Sequence, residues 1–364
     1  MKDIAEELGI SVASVSKVFN NHADIGPETR KRVLRRMKEL NYQPSLHAQG
    51  LASGRTLMVG LIVPDLVHAF FSEIAKSISE SLRKQGFGLV ISSSDEEPEL
   101  ERQEIEQMMR RRVDVLILAS CQSGAKSLER VNEQKMPLIL IDREFRGFEA
   151  NFIGTDDILV GEMATEHLVA IGRRRIAHIG GQRVSTSTGR LEGYRKTLAR
   201  HGIVAPPGYV VRRRRGDESG DKTGQKAMEK LLRLQPRPDA VFCYNDPAAV
   251  GAMNAILAAG LRIPEDIAIV GCGNMRYAES FRVPLSSVDV SRKALGEQAG
   301  ALALQLAARG KARKYRTLIV RPNLVVRESS RAVARVAAEL VSPPSGARRR
   351  VVSRYSASGQ LAEA

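Results

Sequence analysis

Apolar residues open the chain with a helical period. Ile4, Ala5 and Leu8 fall at i, i+1 and i+4 on one face of a first helix, and Gly9 stops it by taking a left-handed conformation at little cost. Ser11 starts a second helix, its hydroxyl placed to cap the next turn, with Val15, Val18 and Phe19 as the buried face at i, i+3 and i+4. Gly26-Pro27-Glu28 opens a third helix, with proline at the first position and glutamate near the positive end of the helix dipole. Val33, Leu34, Met37 and Leu40 supply the apolar face that closes a three-helix headpiece. Asn41-Tyr42-Gln43-Pro44 ends it, because the residue before a proline is pushed out of the helical region. Residues 45–53, SLHAQGLAS, read as a further helix capped by Ser45 and too short to be stable alone, followed by a short linker at 53–55.

From residue 57 the period changes. LMVGLIV is a continuous apolar run of strand length, followed by a helical stretch over 70–85. Further strands are expected at 88–92, 113–119, 137–141, 175–179, 240–244 and 266–270. Helical patterns at 97–112, 161–171, 190–201, 221–232 and 247–259 separate most of them. Strands apolar on both faces, alternating with helices, imply parallel sheets covered on both sides. Some 270 residues of this pattern exceed one sheet, so two doubly wound lobes are expected. The expected organisation is an all-α headpiece over 1–44, a hinge and linker over 45–56, a two-lobed α/β core over 57–329, and a basic flexible tail over 330–364.

A hydrophobic fraction of 43% with 27% charged residues is that of a globular protein. No apolar run is long enough to span a bilayer, and no cationic-then-apolar segment opens the chain, so a cytoplasmic protein without a membrane partner is expected. Cys121, Cys243 and Cys272 have neither metal-ligand nor disulfide-framework spacing and read as buried inert thiols. No glycine-rich phosphate loop, metal-ligand cluster or nucleophile elbow is present. No catalytic residue, cofactor or metal is therefore expected. His68, His167, His178 and His201 read as structural or surface residues.

The net charge of +15 favours a polyanionic partner. The arginine runs at 110–112, 173–175, 212–215 and 348–350 read mostly as surface, whereas Lys2, Lys17, Arg30, Lys31 and Arg55 flank the first helices. The outer face of the second helix suits DNA. The small side chains of Val12 and Ala13 let it approach the major-groove floor, Ser16 can bond phosphate or base edges, and Lys17 can reach guanine or phosphate. By spacing alone, an ordinary helical hairpin remains the alternative.

The span from residue 1 to about 329 resembles the LacI/GalR family of bacterial transcription regulators. The matching segments, in order, are DIAEELGISVASVSKVFNN, TRKRVLRRMKELNYQPSLHAQGLASGRT, VGLIVPD, RRIAHIGG, GRLEGYRKTLARHGI, FCYNDPAAVGA, AGLRIPEDIAIVG and VPLSSVDVSRKALGEQA. The resemblance implies a helix-turn-helix headpiece, a hinge helix and a periplasmic-binding-protein-like core. It implies a homodimeric repressor whose affinity for double-stranded operator DNA is set by a small-molecule effector, a sugar or related metabolite. Val12, Ala13 and Lys17 match base-reading positions, with Ser11, Ser14 and Ser16 beside them. Ala48, Leu51 and Ala52 match the hinge helix, and the family's leucine at Leu51 is a wedge into the minor groove at the operator centre.

The resemblance places the effector in the cleft between lobes, where open α/β sheets hold ligands beyond their strand ends. Phe70 and Phe71 match an aromatic pair there, and Arg190 matches an arginine that makes polar contacts to ligand. Asp156, Thr186, Asn245 and Asp246 match other cleft positions. Arg190 could instead be a helix-surface arginine, and Asn245-Asp246 could cap the helix beginning at Pro247. Three departures stand out. The usual threonine cap before the first helix is missing, Gly50 weakens the hinge helix by roughly 1 kcal/mol relative to alanine, and Gly273 replaces an acidic ligand acceptor. With no tryptophan in the chain, the effector is not safely a simple hexose. A solute-binding receptor of the same core fold and an α/β enzyme such as a sugar kinase are the competing classes.

Overall fold

The computed structural model describes residues 1–19, 24–42, 55–214, 220–309 and 314–332. The hinge residues Ala48, Leu51 and Ala52, and all of the tail beyond 332, lie outside the described residues.

Helices α1 (Lys2–Leu8), α2 (Val12–Phe19) and α3 (Pro27–Glu39) form the headpiece. Gly9 adopts φ 64°, ψ 34°, and its N–H returns to the Ala5 and Glu6 carbonyls, which makes the sharp turn into α2. Ile4, Ala5, Val15, Val18, Val33 and Met37 make a separate small core. The expected face of α3 is narrower than its apolar residues suggested. Leu34 is 50% and Leu40 42% exposed, because Leu34 lies off the Val33–Met37 stripe and Leu40 follows the last helical residue. Arg36 bridges Glu7 and Glu39, and Arg32 Nη2 donates to the Leu8 carbonyl at 3.1 Å, tying α3 to the end of α1.

The core holds two six-stranded sheets. Its elements are β1 (Met58–Val63), α4 (Ala69–Arg83), β2 (Gly88–Ser93), α5 (Pro98–Arg110), β3 (Val115–Leu118), α6 (Glu129–Glu133), β4 (Leu138–Ile141), β5 (Asn151–Thr155), α7 (Asp157–Ala170), β6 (Ile176–Gly180), α8 (Ser185–Arg200), β7 (Val210–Arg212), α9 (Asp221–Leu232), β8 (Ala240–Cys243), α10 (Asp246–Ala258), β9 (Ala268–Cys272), β10 (Ser286–Asp289), α11 (Arg292–Arg309), β11 (Thr317–Val320) and β12 (Asn323–Val325). The first sheet runs β11-β5-β4-β3-β1-β2, and the second β12-β10-β9-β8-β6-β7. Every pairing is parallel except β10 with β12, so each sheet needs helices on both faces to bury strands such as VLIL and LILI. The chain crosses between lobes after β5, after β10 and after β11, each time within three residues.

Five strands and two helices are additional to the sequence pattern: β5, β7, β10, β11, β12, α6 and α11. Two of those strands have three residues, and β11 alternates exposed with half-buried positions, so neither type makes a continuous apolar run. Helices pair closely where glycines leave room. A Cβ on Gly161 would meet the Arg190 carbonyl and one on Gly193 the Ile158 carbonyl, so the start of α7 lies close against the second and third turns of α8. Gly224 and Gly251 do the same for α9 and α10.

Candidate functional site

The headpiece presents the expected face. Ser11 Oγ accepts the Ser14 N–H at 3.0 Å, so Ser11 caps α2 and fixes the angle at which the helix leaves the turn. Ser14 is half-buried and its hydroxyl lies 2.9 Å from that of Ser11, a supporting contact. Val12 and Ala13 are exposed in the first turn, with Ser16 half-buried and Lys17 exposed one turn later. Lys17 Nζ bonds Asp24 Oδ2 at 2.6 Å, which holds its ammonium beside the helix. Met1 gives α1 no side-chain cap.

In the core, the C-terminal ends of the strands of both sheets converge on one cleft. From the first lobe come Asp65 and His68 after β1, Glu96 after β2, and Asp142 and Arg143 after β4. The second lobe supplies Gln182 after β6, Tyr244 and Asn245 after β8, and Gly273 after β9. Among the residues expected there, Phe70, Phe71, Thr186, Arg190 and Asn245 line this cleft. Phe70 and Phe71 pack edge to face at 5.0 Å, and His68 makes edge contacts with both.

Arg190 sits in the second turn of α8, 7% exposed. The close α7–α8 crossing brings its Nε to Asp157 Oδ1 at 2.8 Å, and its Nη1 donates to the Tyr244 carbonyl at 2.6 Å. It is therefore a buried strut whose remaining donor capacity faces the cleft, not a helix-surface arginine. Burial raises the Asp157 carboxyl to about 6 despite that pair, and burial also raises Asp142.

Asn245 does both things its sequence allowed. Its Oδ1 accepts the Ala248 N–H at 2.9 Å as the cap of α10, while its amide nitrogen lies 3.2 Å from His68 Nε2 across the cleft. Asp246 and Asp156 stand elsewhere. Asp246 is 1% exposed and accepts from Ser287 Oγ and the Met275 N–H, each at 2.6 Å, so it braces β10 and the loop after β9. Asp156 caps α7 through the Leu159 N–H at 3.0 Å and lines a different groove, beside the β5 crossover. Gly273, at φ 119°, borders the cleft in a conformation that disfavours a side chain.

Sequence reasoning passed over His68, Glu96, Asp142, Arg143, Gln182 and Tyr244. His68 is no bystander: it caps α4 through the Phe70 N–H at 3.2 Å and faces the cleft. Arg213, within a run taken as surface, is 6% exposed in an ion pair with Glu96, which also accepts from Gln182 Nε2 at 3.1 Å. Arg143 completes this group, 3.7 Å from Glu96 and with its guanidinium 6.0 Å from the Phe71 ring centre. The available signal was position: each lies within five residues of the end of a strand. The other histidines read as structural or surface hold up. His178 stacks between Tyr194 and Phe242, His167 bonds Ser330, and His201 makes a surface pair with Glu166. All three cysteines are free and buried, Cys272 against the cleft. Among the described residues there is no metal-binding cluster, and no helix is long and apolar enough to cross a membrane.

A reading helix joined to a two-lobed ligand-binding fold defines a DNA-binding transcription regulator. The pattern of bacterial regulatory proteins of the lacI family matches residues 1–45, and that of the periplasmic binding protein-like domain matches 165–330. The ribose operon repressor of Haemophilus influenzae is 32% identical over 330 residues, 90% of this chain and 98% of its own length. The HTH-type transcriptional regulator DegA of Bacillus subtilis is 30% identical over 332 residues, 90% of this chain and 97% of its own length. Among solved structures, the lac repressor dimer bound to operator and the anti-inducer ONPF superposes with a TM-score of 0.80 at 27% identity, covering 90% of this chain and 98% of that one. The chain belongs to the lacI family of bacterial regulatory proteins.

Proposed function

We propose that this regulator is a homodimeric repressor whose operator affinity is set by a small polar molecule bound between the lobes. The observation that carries this reading is the convergence of strand ends from both sheets on one cleft, with His68–Asn245 and Glu96–Arg213 reaching across it. A ligand contacting both halves changes the balance of those contacts and hence the angle between lobes. Coupling of about 1–3 kcal/mol alters operator affinity roughly 5- to 150-fold. Each arginine in the cleft already has a carboxylate near it: Asp157 for Arg190, Glu96 for Arg143. That balance favours an uncharged, hydroxyl-rich ligand over an anion. The ribose operon repressor and the cellobiose complex of the regulator CelR, which aligns at 28% identity with a TM-score of 0.68, make saccharides the first class to screen.

At the other end, Val12, Ala13, Ser16 and Lys17 read bases in the major groove while Ser11 and Ser14 set the helix. Leu51, flanked by Ala48 and Ala52, serves as the minor-groove wedge at the operator centre. Thermal-shift screening against sugars, sugar acids and nucleosides, followed by operator gel shifts with the ligand found, tests the reading. Arg190→Gln is expected to lose the ligand response while keeping operator binding. An operator affinity indifferent to every stabilising ligand would overturn the effector role.

A further inference from the structure

The outer end of the second sheet carries a surface that neither DNA reading nor the cleft uses. Strand β7 is the edge, paired with β6 alone. Bonds from the His178 N–H to the Tyr209 carbonyl and from the Arg213 N–H to the Gly180 carbonyl fix which peptide groups turn inward. In a parallel pair the N–H and C=O of one residue share a side and alternate along the strand, so those of Val210 and Arg212 point outward. No other strand pairs with that side of β7, and no turn or loop bond among the described residues takes up these groups.

Beside this edge lies a groove of about 540 Å³, floored by Tyr194, Leu198, Ile203, Pro206 and Val210. Val204 stands on its wall, 89% exposed. The surrounding charge has one sign. Arg195 lines the groove, and Arg212 follows Val210 on the same face of β7. Arg212 is held below the ordinary arginine value by burial and then by the nearby charges of Arg195 and Arg183. Among the described residues none of these three arginines forms an ion pair with a carboxylate. Charged side chains blunt edge strands against pairing, which explains an arginine on β7 but not an apolar groove beside it.

We propose that this face docks an acidic, extended segment of a partner protein, which adds to β7 as a strand whose groove-facing side chains, at every second position, are carboxylates on Arg195 and Arg212 and apolar residues in the groove. Duplex DNA would satisfy the arginines but bury none of the apolar wall. A second copy of this face would bring arginines against arginines.

The probe is a fluorescein-labelled peptide of Val-Thr-Glu-Thr repeats, in which Val and Glu share one face of the strand, titrated at low ionic strength with the full chain. Saturable binding is expected, weakened about tenfold or more by Arg195→Gln/Arg212→Gln and by Val204→Asp. Methylating alternate backbone nitrogens of the peptide is expected to abolish it, and bound peptide is expected to slow amide exchange at Val210 and Arg212. Three results would overturn the proposal: no saturable binding, binding indifferent to these substitutions in protein that melts as wild type does, or random duplex DNA displacing the peptide from the same arginines. Light scattering that shows self-association lost in the double arginine variant would instead assign the face to a second copy and likewise overturn it.

Discussion

Glu96 and Arg213 form an ion pair across the cleft, their side chains 17% and 6% exposed, so two lobes built on separate sheets share a nearly buried charge contact. Removing one partner of such a pair costs about 3–5 kcal/mol, mostly for the charge left behind. Glu96→Ala is expected to fall within that range, since Arg143 and Gln182 lose this carboxylate together with Arg213. Glu96→Gln/Arg213→Gln should cost less than the sum of its single substitutions. Urea denaturation of the cycle checks the energies, and small-angle scattering is expected to show a larger radius of gyration in Glu96→Ala as the lobes part.

His178 sets an acid limit on stability. Burial pushes its imidazole down to about 3, and its Nδ1–H donates to the Phe242 carbonyl at 3.0 Å. A histidine depressed in the folded state contributes its full stability above the ordinary value near 6.5. That contribution drains away as pH falls from there toward 3, in total on the order of 5 kcal/mol. His178→Phe keeps the stack between Tyr194 and Phe242 and removes the titration. Its urea midpoint should therefore fall less steeply between pH 6.5 and 4 than that of the wild type, and parallel curves would contradict this origin.

Gly251 is a packing constraint. A Cβ there would collide with the Asp221 carbonyl where α9 and α10 cross, and that carbonyl is backbone that cannot swing aside. Gly251→Ala is expected to destabilise by about 2 kcal/mol or more, although alanine is the better helix former. A thermal midpoint equal to the wild type would show that the helices slide apart at no cost.

Asp24 restrains the reading helix. Its pair with Lys17 is half exposed and contributes little to stability, yet it places a negative charge beside the face proposed to meet DNA. Asp24→Asn is expected to tighten duplex DNA binding a few-fold, and Lys17→Ala to weaken it and lower the log–log salt slope by about one. Filter-binding titrations at several salt concentrations separate the two.

The sequence made the headpiece legible because its elements are local. Gly9, Ser11 and Pro27 mark helix boundaries within a few residues of the faces they govern, and the buried Ile4, Val15 and Val18 repeat with the helical period. The parallel strands of the core were readable where both faces are buried, as in β1, β3 and β4. They were not readable in β7 or β12, whose three residues carry no period. Site residues divided along the same line. Asn245 could be placed because a cap is a local signal. Asp246 follows it directly but turns to Ser287, 41 residues away, a partner only the fold supplies. Arg213 looked like any member of an arginine run until the cleft brought Glu96 to it.

Ligand response, hinge and dimer all presuppose that two headpieces read one DNA site together. DNase I footprinting of the chain's own upstream region at physiological salt tests this most directly. A protected, two-fold symmetric site is expected, with enhanced cleavage at its centre, where the proposed Leu51 wedge would kink the duplex, and loss of protection in Lys17→Ala at the same protein concentration. Uniform weak protection without symmetry, unchanged by Lys17→Ala, would contradict the account.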